Sequence, residues 1–363
     1  MFVGYIMYRS GLADELFNFA RLWVGHLPGG LAVAAVAACA IFAAISGSSV
    51  ANAATIGLVA IPAMVAFKYD KRLAAGLVAA GGTIGVLIPP STAMILIGII
   101  AEESIGDLFM AGLIPGILLF TLLSIAAIVI CKKTGTYQPL PKVFWRERLT
   151  GTKKAIGSLM MPVIILGGIY TGVFTPTESA AIAVVYALIY VLFIKRVKWA
   201  QLLEIIKEST KTVAMAAILL AGGISLGKVV AMLQVTQNVC AYFATAGWPA
   251  WLIIVATMGL IFVLGMFLDG SAIVLLILPI LAPLVRSLGF DMLWYAVLFV
   301  INTEIGLITP PIGMNVFVIQ QVSGIDAHDV IRGAIPFVIV IALTLIIVAF
   351  FPILSTWLPS TMR

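Results

Sequence analysis

Two proline pairs interrupt long apolar runs in this chain, at Pro89–Pro90 and Pro310–Pro311, and they stand 221 residues apart. The same offset carries Pro62 onto Pro283, Asp70 onto Asp291, Ile84 onto Ile305 and Gly85 onto Gly306. It also carries Gly112, Ile114 and Pro115 onto Gly333, Ile335 and Pro336. One ungapped offset that keeps the rarer helix breakers in register marks an internal duplication rather than chance in a hydrophobic sequence. Any fold for this chain must therefore accommodate two copies of one broken unit.

Those copies sit in a lipid-like composition. Of the 363 residues, 63% are hydrophobic and 10% charged, against about 25% charged in soluble domains. Apolar runs recur along the whole length, which one cleaved leader does not explain. They lack the ten-residue alternation of a membrane barrel. The fold class predicted is an all-α polytopic membrane protein. The net charge of +6 reads as loop charge that sets orientation, not as a nucleic-acid surface. Cys39, Cys131 and Cys240 have neither metal-ligand nor disulfide spacing and read as small packing residues.

Topology follows from Lys and Arg. Placing Lys68–Arg72, the loop Lys132–Lys154 and the basic arm Lys195–Lys211 on the cytoplasmic side leaves only Lys228, Arg286 and Arg363 of the 21 basic residues elsewhere. Arg9 and Arg21 then read as inner-interface anchors, and Lys228 as a snorkelling residue near the outer end of a crossing. "EESIGD" and "FTPTES" fall outside, and a crossing from about Thr212 to Leu233 runs outward. An odd number of crossings separates equivalent points, so the second copy is predicted upside down relative to the first. Inverted copies are a mark of secondary transporters.

Each copy opens with a stretch too polar at its middle to cross twice. Gly29 to Phe67 is predicted to be a re-entrant hairpin with "SGSS" at its tip, and Pro249 to Leu288 its counterpart with "GMFLDGS" at the tip. A broken helix follows each: Leu73 to Ala101, interrupted at "GVLIPPS", and Met292 to Gln321, interrupted at "GLITPPIG". Proline removes an amide donor and expels its predecessor from helical geometry. The break frees carbonyls that suit a hard cation such as sodium and half-helix N-termini that suit an anion. The alternative for each motif is a kinked helix that binds nothing. Two copies, each paired with a polar hairpin, favour two ion sites flanking one substrate site.

At these residues the chain resembles the large membrane subunit of tripartite ATP-independent periplasmic (TRAP) transporters. The matching motifs are "ISGSSVANAAT", "TIGVLIPPS", "SIGDLFMAGLIPG", "GVFTPTESAA", "GMFLDGSA", "EIGLITPPIGMN" and "FPILSTWLP", in family order along nearly the whole chain. The resemblance implies an inverted-repeat, elevator-type fold with two re-entrant hairpins and two broken helices, in the bacterial inner membrane. It implies a sodium-coupled importer of a small organic anion of the carboxylate class, such as a C4-dicarboxylate or sialic acid, with monocarboxylates, other sugar acids and sulfonates also open. It implies two partners as well, a small membrane subunit and a periplasmic substrate-binding protein. By the same resemblance Ser46, Ser48, Gly85, Ile88 and Pro90 match one sodium site, and Gly265, Gly306, Thr309 and Ile312 the other, mostly through carbonyls. The substrate would lie among Asn52, Ser91, Thr92, Asp269, Ser271 and Asn315. Family members often carry Asp where this chain has Asn52, which leaves the side chain's role at that position open.

The organisation expected is a severed helix end and interfacial arm over 1–28, and a first transport repeat over 29–131. A loop, two scaffold helices and a basic arm follow over 132–211, a scaffold helix and outer arm over 212–248, and the inverted second repeat over 249–363. Residue 1 maps by the offset onto Gly222, within a crossing, so a chain shortened at its N-terminus and lacking scaffold helices is expected. Glu304, an acidic residue in an apolar run, is expected to hold a hydrogen-bonding role, with proton sensing as the alternative. "TPTE" reads as a helix cap with Thr175 as N-cap, Pro176 first and Glu178 third. His26 and His328 both fall near the inner interface, so neither can serve Ser48 as the base of a hydrolase, and no enzyme is expected. Nothing in the sequence cradles ATP. The rival readings are a stand-alone sodium–dicarboxylate symporter of related hairpin architecture and a non-transporting membrane scaffold.

Overall fold

A computed structural model describes residues 2–135, 137, 140–194, 197, 199–235, 238 and 247–362. Cys240, Lys195, Arg196, Lys198, Arg363 and most of the outer arm before Trp248 lie outside them, as does the Arg9 side chain. The described residues form helices and loops with no strand. Two short helices come first, α1 (Phe2–Arg9) and α2 (Leu12–Val24). The first copy is α3 (Gly30–Ser46), α4 (Ser49–Ala66), α5 (Lys71–Gly82) running into a tight turn of helix at Thr83–Val86, α6 (Thr92–Ala101) and α7 (Ile105–Thr134). Then come α8 (Trp145–Tyr170), α9 (Pro176–Ile189) and α10 (Trp199–Met232). The second copy repeats the order as α11 (Ala250–Gly265), α12 (Gly270–Ser287), α13 (Met292–Leu307), α14 (Met314–Ser323) and α15 (Ala327–Phe350), and α16 (Ile353–Ser360) closes the chain.

The offset of 221 predicts these boundaries. Ser49–Ala66 maps onto Gly270–Ser287 without slip, and the starts of the other four pairs agree within two residues. The caps repeat too. Asp70 accepts from the amide of Arg72 at 2.7 Å at the head of α5, and Asp291 accepts from that of Trp294 at 3.0 Å at the head of α13. Each carboxylate satisfies amides left without partners at a helix start.

Three ion pairs, at two ends, show that the copies are antiparallel. Lys71 and Arg72, at the start of the first broken helix, pair with Asp329, just beyond the end of the second, at 3.1 and 2.7 Å. At the other end, Glu103, just beyond the end of the first broken helix, pairs with Arg286, just before the start of the second, at 2.8 Å. Starts meet ends in both directions, as only an inverted pair allows.

The first halves of the broken helices form the core. From Leu73 to Gly82 and from Met292 to Leu307 every residue is buried. α5 achieves this with Ala and Gly, so α15 lies backbone to backbone along it where Gly76 meets Gly333. α13 is bulkier and satisfies its polar groups singly: Trp294 Nε1 donates to the Val348 carbonyl at 3.0 Å and the Tyr295 hydroxyl bonds that of Thr257 at 3.1 Å. Cys39 and Cys131 are buried free thiols, as their sequence context predicts.

Outward-facing apolar side chains such as Val185, Ile218, Ile339 and Phe350 are exposed, which suits contact with lipid chains. Seven described helices are long and apolar enough to cross a membrane, among them α4 and α12 of the hairpins. Length alone would thus let those two cross. The hairpin reading rests instead on where their tips sit, described below. Two boundaries differ from the sequence reading. The basic arm and the next crossing form one helix, α10, because no proline or glycine interrupts Trp199–Ala221. The second half of the loop Lys132–Lys154 is already the start of α8. The cap predicted at Thr175 is present, with Thr175 and Glu178 each bonding the other's backbone amide.

Candidate functional site

Both hairpin tips are folded inward onto the two breaks. In the first copy the α3–α4 turn passes through Gly47, at φ 64, where a Cβ would meet the Pro90 carbonyl oxygen at 2.5 Å. Only glycine fits a position that is both left-handed and this close to another backbone. The Gly47 carbonyl accepts from the amide of Thr92, the first residue of α6, at 3.2 Å. In the second copy the Met266 carbonyl accepts from the Gly313 amide at 3.4 Å. Thr92 and Gly313 are offset equivalents, so one bond from hairpin tip to half-helix start recurs in both copies. A tip pinned in this way lies inside the protein, which supports the re-entrant reading of both hairpins.

The glycines predicted at the sites mark where tip and break touch. A Cβ on Gly85 would come within 3.1 Å of the Ser48 carbonyl oxygen and of Asn52 Nδ2. Its counterpart Gly306 lies against Gly265, where a Cβ would reach the Gly265 carbonyl carbon at 2.5 Å. Ser46 and Ser48 flank the first tip. Ser48 caps α4 through the Ala51 amide at 3.4 Å, while the buried Ser46 hydroxyl has no protein partner. Gly4 of α1 packs on Ser46, and Tyr5 bonds Thr212 of α10 at 2.8 Å, so α1 ties this tip to the long helix. Ile88 and Pro90 complete the first break, and Pro89–Pro90 and Pro310–Pro311 are both cis. Thr309 spends its hydroxyl on the Ile305 carbonyl at 2.6 Å. The two breaks differ in cover: Ile88 is 9% exposed and Ile312 39%.

The residues predicted for substrate occupy three places. Asn52 and Asn315 are fully buried near the junction of the copies. Asn52 Nδ2 donates to the Cys39 carbonyl at 3.0 Å and to that of Gly82 at 3.4 Å. Asn315 Nδ2 donates to Ser49 Oγ at 2.8 Å and to the Ala79 carbonyl at 3.3 Å. Both side-chain oxygens are left without a partner. Ser91 caps α6, accepting from the Met94 amide at 3.3 Å, with Thr92 beside it. Asp269 caps α12 at the second tip, accepting from the Ser271 amide at 2.9 Å. Ser49, absent from the predicted set, is the hydroxyl that joins the copies. It shares a helix face with Asn52, and that spacing is the signal that would have found it.

Among the described residues no group of three or more His, Cys, Asp or Glu is placed to hold a metal. What the tips and breaks present instead is oxygen from carbonyls, hydroxyls and amides, the ligand type of hard cations. Two open cavities lie off this centre. One of about 310 Å³ is apolar and separates α8 from α3 and α7, touching Ile88. The other, of about 460 Å³, lies between α2 and α8 and is lined by Arg21, Arg146 and Lys154 among others.

Comparison with known proteins agrees with this architecture. Residues 1–354 match the family described as tripartite ATP-independent periplasmic transporter, DctM component. The chain is similar to a C4-dicarboxylate TRAP transporter large permease protein of Pseudomonas aeruginosa, 39% identical over 98% of this chain and 84% of that one. It is similar to a sialic acid TRAP transporter large permease protein of Vibrio cholerae, 38% identical with the same coverage of each. Among solved structures, the YdaH transporter of Alcanivorax borkumensis shares the fold with a TM-score of 0.60 at 13% identity, covering 98% of this chain and 84% of that one.

Proposed function

Because this chain belongs to the family of the DctM component of tripartite ATP-independent periplasmic transporters, multi-pass inner-membrane permeases rather than enzymes, we propose that it carries a small organic anion inward with sodium. The observation that carries this reading is the pair of tip-on-break contacts, made at offset-equivalent half-helix starts, Thr92 and Gly313, in copies of opposite direction. Each sets a hairpin carbonyl against the amide where the chain resumes beyond a Pro-Pro break. Sodium would be held at Ser46, Ser48, Gly85, Ile88 and Pro90 in the first copy, where the buried Ser46 hydroxyl lacks a protein partner. Gly265, Gly306, Thr309 and Ile312 would hold it in the second.

The anion would lie between the tips, near Asn52, Ser91, Thr92, Asp269, Ser271 and Asn315. No Lys or Arg occurs in the hairpin tips or breaks, so its negative charge would be met by amides, hydroxyls and bound sodium. Occupancy of sodium and anion sites then becomes mutually dependent. Carboxylates are the substrate class favoured, since the named relatives at 39% and 38% identity are permeases for C4-dicarboxylates and sialic acid. The two copies with their ion-paired ends would move as one body past α8, α9 and α10.

Delivery by a periplasmic substrate-binding protein, and assembly with a small membrane subunit, belong to the same proposal. Uptake of labelled C4-dicarboxylates and sialic acid into proteoliposomes tests it, with the small subunit and the binding protein supplied. Uptake that requires external sodium and the binding protein is the expected result. Equal uptake with choline replacing sodium would overturn the coupling. Full uptake without the binding protein would favour a stand-alone symporter, and none under any condition a scaffold.

A further inference from the structure

The larger of the two cavities, about 460 Å³, opens between α2 and α8, with no hairpin-tip residue in its wall. Three cations line it: Arg21 from α2, and Arg146 and Lys154 from the first three turns of α8. Among the described residues the ion pairs join Lys71 and Arg72 to Asp329 and Arg286 to Glu103, and none engages a cation of this cavity. Glu15 and Glu147 also line the wall, which leaves an excess of one positive charge. Arg148 adds another beside it, its guanidinium 5.9 Å from the centre of the Trp23 ring and its Nε buried without a partner. Like charges gathered in this way repel one another, and an anion seated among them turns that repulsion into attraction.

The wall stands at the height of the membrane surface. α8 carries five charged residues from Arg146 to Lys154 and none from Ala155 to Tyr170, so Lys154 marks the edge of the hydrocarbon layer. Trp23 and Trp145 meet edge to face at 5.6 Å, and the Trp23 indole N–H donates to Thr152 Oγ1 at 3.1 Å. Phe144 and Trp145 are exposed. Tryptophans with this mixture of polar and apolar contact belong at the level of lipid headgroups. The count of basic residues places this end of α8 on the cytoplasmic side. Leu22, against which Gly151 packs, gives the same cavity an apolar side.

Cations beside an apolar surface at this height suit a phosphate that carries acyl chains, and a guanidinium fork matches phosphate oxygens. We infer that the cavity between α2 and α8 binds the headgroup phosphate of an anionic phospholipid of the cytoplasmic leaflet, through Arg21, Arg146 and Lys154. A phosphodiester carries one negative charge, equal to the excess on the wall. Because α2 leads through residues 25–29 into the first hairpin, the headgroup ties that copy to α8. Binding here needs neither sodium nor the transported anion.

Native mass spectrometry of the purified chain in detergent tests the site, with phosphatidylglycerol, phosphatidylcholine and inorganic phosphate titrated separately. One phosphatidylglycerol is expected to bind more tightly than either of the others. In the variant Arg146→Ala/Lys154→Ala both replaced side chains are exposed, so the fold is kept. Lys132→Ala/Lys133→Ala is the matched control: it removes two exposed cations of the same membrane face that lie outside the cavity. The first double variant is expected to bind phosphatidylglycerol about 30-fold more weakly, at about 5-fold per cation, and the control as wild type does. Arg21→Gln, on the other wall, is expected to lose about 5-fold by the same rule; should it misfold, the exposed pair still decides. Equal weakening in the two double variants would mean a diffuse attraction to basic surface and overturn the inference. Phosphatidylcholine bound as tightly as phosphatidylglycerol would remove the selection for an anionic lipid. Inorganic phosphate bound as tightly, and lost in the same variants, would make this a site for soluble phosphate and overturn the lipid.

Discussion

The seam between α5 and α15 gives the sharpest stability prediction. At Gly333 a Cβ would lie 2.5 Å from the Arg72 carbonyl carbon, and nearer still to its oxygen. Carbon atoms in contact prefer about 3.5–4.0 Å, so Gly333→Ala must push α15 off α5 by about 1 Å. Neither backbone can yield as a flexible side chain would. Overpacking of this kind costs about 1–3 kcal/mol. The same shift reaches the Arg72–Asp329 pair, now 2.7 Å, one turn away. An added Å takes it beyond hydrogen-bond reach. Gly259→Ala in α11 is the matched control. It is a helical glycine with nothing within 4 Å of an added Cβ, and replacing helical Gly by Ala gains up to about 1 kcal/mol. Thermal unfolding of both variants in the same detergent measures the difference. Gly333→Ala is expected to melt well below wild type, and Gly259→Ala at or above it. A Gly333→Ala variant as stable as Gly259→Ala would refute the backbone contact between the copies.

Sodium dependence separates the two tips: Gly306→Ala, with backbone carbon at 2.5 Å, should raise the sodium concentration for half-maximal uptake by about 5- to 150-fold. Gly85→Ala, with its nearest neighbours at 3.1 Å, should raise it less, and the reverse order would count against the tip contacts. Asp70→Ala and Asp291→Ala should each lower stability by about 1 kcal/mol through loss of equivalent caps; a cost confined to one of them would undo their equivalence. Arg286 and Glu103 are 45% and 28% exposed, so a double-mutant cycle should return less than about 1 kcal/mol of coupling. Arg286→Ala alone should cost more than Glu103→Ala, because Arg286 also donates to the Ala101 carbonyl; equal costs would argue against that second bond.

The repeat, the two hairpins and the two breaks are legible in the residues alone, because glycine, proline and capping aspartate act on their own backbone. Asp70 and Asp291 cap helices wherever those helices pack, and Pro89 and Pro310 end them. The helix boundaries therefore recur at the offset read from the letters alone. Charge counting also predicted the inversion, which the crosswise ion pairs at Asp329 and Arg286 bear out. Which backbones touch follows only from the packed fold. That Gly76 lies on Gly333, that Gly306 lies on Gly265, and that Ser49 rather than Ser48 joins Asn315 all depend on how distant helices dock. So does the difference in cover between Ile88 and Ile312. Docking is set by the summed packing of distant helices, which no local pattern encodes. The continuity of α10 was missed for the opposite reason: charge marks a membrane boundary, and a helix passes such a boundary unbroken when its backbone bonds are already satisfied within itself.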